Sequence, residues 1–391
     1  MNKDNTTRHL RAHTHTPGCD KPRYELADIF NRYWDAFAAK FGVSNHQYNT
    51  VQHIRNCRTS RLKYHIEYCS NKDCDYRTPA YNSCRDRNCP KCLNSKRMKW
   101  VHDRLLELLP IPYFHAVFTM PHSFLTFILY NPALVFDLFF KAAAYTMNAF
   151  ARKAKYLGAD IGFYGILHTW GQTLAYHPHI HFIVTGGGFS NGDENWQRLP
   201  YQEKFIFPVK TMSRLMRRKF VELLKQAWQK EELRYPARIA QLESEDYFDE
   251  FCRDISKKTW YIYAKPPFSG PEKVIEYFSR YTHRVAIANG RLLAIDNDRV
   301  SFTYRDYHDD NRIKVMSLSA DRFIQRFLRH ILPAGFKKIR HHGIFSPGCR
   351  TAKLAEARAY FEKMAAEKLA ELAAKPRWMF TILRGKPEPK S

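Results

Sequence analysis

The segment Tyr176-His177-Pro178-His179-Ile180-His181-Phe182-Ile183-Val184 runs into Gly186-Gly187-Gly188. Its second half alternates and is rich in β-branched residues, which predicts a strand over about 179–185. Side chains two apart on a strand share a face, so His179 and His181 stand side by side while Ile180 and Phe182 turn away. A third imidazole, His168, lies eleven residues before His179 in a second predicted strand, about 161–169. Gly171-Gln172 can begin a turn between them, and a hairpin would bring His168 to the pair. A lone histidine on a half-buried strand is more often a satisfied core or surface residue. A His-x-His pair with a third histidine at hairpin distance instead favours a divalent-cation site, and imidazoles alone favour zinc or another transition metal. His115 and His122 are histidines nearby in sequence with no spacing argument to join them to this set.

Thiols form a second constellation. Six of the nine cysteines lie between Cys57 and Cys92, in the spacings His53-x3-Cys57, Cys69-x4-Cys74 and Cys84-x4-Cys89, with Cys89-Pro90-Lys91-Cys92 at the end. The Cys89-x2-Cys92 knuckle, with Cys69 and Cys74 as a second pair, has the spacing of a zinc ribbon. His53, Cys57 and Cys84 remain, so one or two Zn²⁺ ions are expected, and spacing leaves open which ligand joins which ion. Four thiolates would close the shell and leave no position for a reaction. Arg85, Arg87 and Lys91, followed by Lys96, Arg97 and Lys99, give this module a basic rim. The rim suits a DNA-binding role; the plain alternative is a structural staple with a solvated charged face.

The elements that must hold these groups are legible in outline. The chain has 391 residues, 45% of them apolar and 15% aromatic, and a net charge of +25. That length allows two or three domains with a sizeable core. The charge suits a polyanion better than a small neutral substrate, and the rings suit stacking on unpaired bases. No apolar leader precedes Tyr24, and the apolar stretch Ser123 to Phe140 is broken by Asn131-Pro132 and Asp137, so neither a signal peptide nor a membrane span is expected. A cytoplasmic, nucleoid-associated protein follows, in which reduced thiols are ligands rather than disulfides.

Residues 1–22 are expected to lack order. An amphipathic helix carries Leu26, Ile29, Phe30, Tyr33, Trp34 and Phe37 on one stripe. Residues 100–155 read as helical around a short strand, Tyr113 to Thr119. Short strands are expected at 205–209, 260–264, 291–296 and 299–305, with a glycine-rich loop at 186–188. A basic helix is expected at 211–230, a helix from near Pro271, a helix and basic segment within 320–345, and a surface helix at 351–375, followed by a loose tail. On the Pro271 helix Tyr277 and Tyr281, four apart, share a face, flanked by Arg280 and Arg284. The domain division expected is 23–100 for the zinc-binding module, 101–345 for a catalytic domain and 346–391 for a C-terminal basic helix and tail. The fold class expected is α+β, with an antiparallel sheet carrying the histidines and flanking helices.

Three motifs in sequence carry a resemblance: Tyr81-Asn82-Ser83-Cys84-Arg85-Asp86-Arg87-Asn88-Cys89-Pro90-Lys91-Cys92, then His177-Pro178-His179-Ile180-His181 with its glycines, then Tyr277-Phe278-Ser279-Arg280-Tyr281-Thr282-His283-Arg284. Pro112-Tyr113-Phe114-His115 and the stretch from Gly335-Phe336 to His341-His342-Gly343 add to it. Over residues 23–345 the chain resembles the rolling-circle insertion-sequence transposases of the IS91 type, in the two-tyrosine branch of the HUH endonucleases. The resemblance implies that His179 and His181, with an upstream histidine, here His168, bind Mg²⁺ or Mn²⁺. It implies that Tyr277 and Tyr281 are nucleophiles and that the cysteine module is a zinc-binding domain.

The function expected is a DNA transposase that nicks and religates single-stranded DNA through a 5′-phosphotyrosine. Its partners are single-stranded DNA and transposon-end hairpins, with no nucleotide cofactor and no membrane; a homodimer is left open. The rivals are a plasmid replication initiator or relaxase with the same chemistry, a zinc hydrolase acting on another substrate, and a non-catalytic zinc-dependent DNA-binding regulator. A regulator would give no covalent adduct, and a hydrolase would not need Tyr277.

Overall fold

Alternating apolar runs in this sequence become antiparallel strands, and the 3.6-period stripes become helices packed on them. The computed structural model describes residues 22–71, 74–92, 94–190, 195–199, 207–265, 273–274 and 285–374. In chain order, α1 (Leu26–Phe41) and α2 (Asn45–Asn56) precede β1 (Tyr64–Tyr68) and β2 (Arg77–Tyr81). Then come α3 (Asn94–Leu105), β3 (Tyr113–Thr119), α4 (Leu125–Tyr130), α5 (Pro132–Ala151), β4 (Ala159–Trp170), β5 (Tyr176–Ser190) and β6 (Trp196–Arg198). These are followed by α6 (Val209–Gln229), α7 (Glu245–Lys257), β7 (Tyr261–Lys265), β8 (Leu292–Asp296), β9 (Arg299–Asp306) and β10 (Arg312–Ser319). The described chain ends with α8 (Ala320–Leu328), β11 (Ile339–Gly343) and α9 (Arg350–Ala374). The fold is α+β, and the strand pairings among the described residues are antiparallel.

The chain divides into two units, the first formed by residues up to 95 with 172–174 and 285–331. The segment 285–331, grouped in sequence with the catalytic stretch, thus belongs structurally with the cysteine module. The reason is apolar complementarity. The α1 stripe of Leu26, Ile29, Phe30, Trp34 and Phe37 is buried, and Phe30 meets Phe327 of α8 edge to face at 5.4 Å between ring centres. In a three-stranded sheet ordered β10-β9-β8, Phe302 of β9 meets Phe323 of α8 at 5.8 Å. The N-terminus of α2 is fixed by a capping box in which Ser44 and Gln47 exchange hydrogen bonds.

The second unit is built on a sheet ordered β11-β4-β5-β3-β7, with β6 added to β5. Its two faces are covered by different clusters. Phe114, Phe118, Leu167, Ile180, Phe182 and Val184 face the side packed by α5 and α6. Tyr113, Tyr164, Ile166 and Ile183 face the other side, with Val274, Ile344 and Phe345. Burial on both faces explains why β4 and β5 read as nearly continuous apolar runs.

Three expectations are corrected. Gly186, Gly187 and Gly188 are not a closing loop: β5 runs through them to Ser190. Neighbouring strands approach too closely for side chains there; a Cβ on Gly188 would strike the carbonyl of Asp160. Of the strand expected at 205–209, residues 205 and 206 lie outside the described residues, and Pro208 is the N-cap of α6. The basic segment after α8 contains a strand, β11, paired with β4 from Ile339 opposite Ile166 to Gly343 opposite Gly162. The N-terminal residues 1–21, the tail after 374, and the Pro271 helix with Tyr277, Arg280, Tyr281 and Arg284 lie outside the described residues, except that Lys273 and Val274 are helical.

Candidate metal centres

The β4–β5 hairpin forms as the spacing predicts, and its register sets His168 directly opposite His179. His168, His179 and His181 converge, with one ring nitrogen of each within 4.8 Å of the others. The rings stand edge to face around a common point, at 5.5 Å for His168–His179, 4.9 Å for His168–His181 and 4.7 Å for His179–His181.

Hydrogen bonds assign the nitrogens. His179 Nδ1 lies 2.7 Å from the carbonyl oxygen of His177. A carbonyl can only accept, so Nδ1 carries the proton and Nε2 keeps a lone pair for a cation. His181 Nδ1 lies 2.9 Å from Nε2 of His115 on β3, with the two rings nearly parallel at 8°. A ligating histidine usually passes its other ring N–H to an acceptor of this kind.

Burial favours the neutral form of His179, His181 and His115. Desolvation lowers the pKa of His179 to about 4 and that of His115 to about 3, the latter aided by the charge of Lys265. His181 falls well below the usual histidine value for the same reason, with its three histidine neighbours adding to the effect. Neutral imidazole is the ligand form, so His179 and His181 fit a divalent cation without first having to lose protons at pH 7.

His115 is a neighbour of the set that spacing missed. The β3–β5 register puts it opposite Ile183, one step along the same face from His181. His122 does not join the set; its ring stacks on His177 at 5.4 Å. The register extends the histidine face sideways. Thr119 lies opposite both His179 and Tyr261, and Val117 opposite both His181 and Tyr263. Tyr261 and Tyr263 are 67% and 58% exposed, so an edge strand offers two open rings on the face that holds the imidazoles. In sequence only the alternation Tyr261-Ile262-Tyr263-Ala264 hints at this.

In the first unit, Cys57, Cys84, Cys89 and Cys92 form the thiol cluster, all within 4.8 Å of one another. Cys57 Sγ lies 3.3 Å and Cys84 Sγ 3.5 Å from Cys92 Sγ. Tetrahedral Zn–S bonds of about 2.3 Å would hold sulfurs roughly 3.7 Å apart, so the cluster fits zinc with little adjustment. The thiols strongly perturb one another. Hydrogen bonds from Cys84 and Cys89 pull Cys57 down to about 2, while the bond to Cys57 pushes Cys84 and Cys89 up. Four thiolates this close need a dication to coexist.

This grouping corrects the ribbon pairing expected from spacing. Cys89 and Cys92 pair with Cys57 and Cys84, not with Cys69 and Cys74. Cys57 caps α2, and Cys84 follows β2 at the open end of the β1–β2 hairpin. Cys69 and Cys74 sit beyond its other end, where Cys69 N–H donates to Tyr76 O. Five residues of strand, at about 3.3 Å each, separate the two ends. His53 stays outside too, its Nδ1 3.1 Å from Asp86 Oδ2 and its side chain 54% exposed.

Of the basic rim, Lys91 is taken up by Glu25, Nζ to Oε2 2.6 Å. Arg85 adopts a left-handed backbone, φ 56°, in the turn between the cysteines. Burial lowers the pKa of Arg87 from its ordinary value.

Two family patterns match the chain: one described as "Transposase zinc-binding domain" over residues 29–120 and one as "Putative transposase" over residues 162–353. The chain is 44% identical over 335 residues to "Putative transposase y4qJ" of Sinorhizobium fredii, covering 85% of this chain and 83% of the relative. It is 27% identical over 329 residues to "Transposase for insertion sequence element IS801" of Pseudomonas savastanoi pv. phaseolicola, covering 82% and 76%. No solved structure matches it.

Proposed function

The chain belongs to the IS91 family of transposases, and from that premise we propose that it nicks and rejoins single-stranded DNA through a tyrosine–phosphate bond. The observation that carries this reading is the convergence of His168, His179 and His181 on one point, with His115 behind His181.

These three histidines would hold Mg²⁺ or Mn²⁺, which when bound polarises a phosphate oxygen and neutralises charge. By fixing where the cation would sit, the imidazoles would set the place of the scissile phosphate. Tyr277 and Tyr281 supply the nucleophiles. They lie outside the described residues, and their assignment follows the family resemblance of the Tyr277-to-Arg284 motif.

A phenol has an ordinary pKa near 10, so positive charge must favour its ionised form. The phenolate oxygen attacks phosphorus, the bond from phosphorus to the 3′ oxygen breaks, and that oxygen takes a proton. The phosphodiester is exchanged for a phosphotyrosine ester, so rejoining by a 3′-OH needs no nucleotide cofactor. Two tyrosines would let one end stay attached while the other is cut.

A single-stranded substrate suits this surface. Tyr261 and Tyr263 offer rings beside the histidines, where unpaired bases can stack. On the other side of the sheet, a groove of about 570 Å³ along α6 is lined by Lys153, Arg214, Arg217 and Arg218, which suits a phosphate backbone. None of the helices among the described residues is long and apolar enough to cross a membrane.

The test is nicking of a 5′-labelled single-stranded transposon-end oligonucleotide with Mn²⁺. The proposal expects activity from the natural chain, none after chelation of the cation, and none from His179→Ala or His181→Ala. Cation-independent nicking, or nicking retained by those variants, would refute it. Strand transfer between two ends separates a transposase reaction from the nicking of a replication initiator.

A further inference from the structure

Strands β1 and β2 form a two-stranded ribbon whose register sets Tyr64 opposite Tyr81, Ile66 opposite Pro79 and Tyr68 opposite Arg77. Opposed residues in an antiparallel pair share a face, so these six make one continuous surface. All six are exposed, with Tyr64 at 55%, Tyr68 at 66% and Tyr81 at 39%. The other face takes His65, Glu67, Thr78 and Ala80.

An exposed ladder of this composition is not a folding requirement. Three tyrosines and an isoleucine in water contribute nothing to a core. The rings are nonetheless ordered: Tyr64 and Tyr81 meet edge to face at 5.8 Å, and the Arg77 guanidinium lies 5.3 Å from the Tyr68 ring centre. This face of the paired strands carries no carboxylate, since the one acid within β1 and β2, Glu67, lies on the other side. Its ends are also fixed. At the open end Asn82 N–H donates to Lys63 O and Arg58 N–H to Asn82 O, next to Cys57 and Cys84 of the thiol cluster.

We infer that this ribbon face is a base-stacking platform for single-stranded DNA. Its charge and chemistry choose that occupant. Open tyrosine faces accept any unpaired base. Arg77 adds a cation for the backbone and stiffens Tyr68. From Tyr64 to Tyr68 the strand rises about 13 Å, four steps of about 3.3 Å, enough for two or three bases. A second copy of the chain would bring the same positive, acid-free face against itself. A duplex would hide the base faces that the rings need. The thiol cluster acts as the clamp at the ribbon's base, coupling zinc to DNA grip. The inference rests on the single-strand reading above for its partner, but not on tyrosine chemistry.

The test measures binding of the full zinc-loaded chain to a labelled single-stranded oligonucleotide, without added Mg²⁺ or Mn²⁺ so that no cleavage occurs. Each of Tyr64→Ala, Tyr68→Ala and Tyr81→Ala should weaken binding about tenfold, with zinc content unchanged. The matching Phe variants should bind like the natural chain. Binding to a duplex should change less than twofold. Ultraviolet crosslinking to a 5-iodouracil oligonucleotide should map to these tyrosines. Unchanged binding by all three Ala variants would overturn the inference. So would equal losses on duplex and single strand, or Ala variants whose only change is dissociation of a dimer. Because binding is read without cleavage, absence of nicking elsewhere would leave this result intact and count against the catalytic proposal alone.

Discussion

Nε2 of His115 lies 2.9 Å from Nδ1 of His181 across the β3–β5 pair, with the two imidazoles stacked almost parallel. His181 is thereby oriented from behind, and the nitrogen it turns toward His168 and His179 is fixed by the one it turns toward His115. Removing a partner of this kind typically weakens metal binding by 10- to 100-fold. His115→Ala should lower Mn²⁺ affinity by about that factor in a titration followed by electron paramagnetic resonance, with the fold unchanged by circular dichroism. Natural affinity in the variant would show that His115 serves packing only.

Zinc content should follow the thiol grouping. Cys57→Ser and Cys92→Ser should each lose the bound ion and loosen the β1–β2 ribbon that the cluster anchors. Cys69→Ser should keep at least one Zn²⁺ per chain, measured by colorimetric release after denaturation. The reverse order, with zinc lost from Cys69→Ser and kept in Cys57→Ser, would restore the ribbon pairing suggested by spacing.

Acid should destabilise the fold through histidines that are not among the candidate metal ligands. Burial lowers the pKa of His330, His341 and His342 to about 4 each, against an unfolded value near 6.5. The unfolded chain therefore binds more protons between these values, so stability is full above about pH 6.5 and is lost as pH falls toward 4. Urea midpoints should drop from pH 7 to pH 5. His342→Phe, which keeps a ring against Phe163, should flatten the slope. A slope unchanged in that variant would remove His342 from the cause.

The open rings of β7 should act on substrate rather than on chemistry. Tyr261→Ala and Tyr263→Ala should raise the KM for a single-stranded oligonucleotide about tenfold or more, with kcat within a factor of three. A fall in kcat with KM unchanged would instead place one of them at the reacting phosphate.

The histidine hairpin was legible because its signal is local: period-two alternation, a turn at Gly171 and three histidines in one short stretch. The α1 stripe was legible for the same reason. His115 was not, because the register that carries it to His181 joins strands 66 residues apart. The glycine run in β5 misled because a glycine's meaning there lies in the strands pressing on it, which composition does not encode. The strand β11 hid behind His341, His342 and their basic neighbours, whose burial comes from pairing with β4 and packing on Phe163 and Tyr164. Cysteine spacing gave the metal but not the ligand set. Cys57 ends a helix and Cys84 follows a strand, and a hairpin of 20-odd residues had to fold before they met.

The account turns on whether a phenol reaches the phosphate held before the imidazoles. The most direct measurement is denaturing electrophoresis of the full chain after reaction with single-stranded transposon ends and Mn²⁺, followed by mass spectrometry of the linked peptide. The account predicts a covalent protein–DNA species joined through Tyr277 or Tyr281, absent from the double variant Tyr277→Phe/Tyr281→Phe. The same covalent species at undiminished yield in that double variant would contradict it.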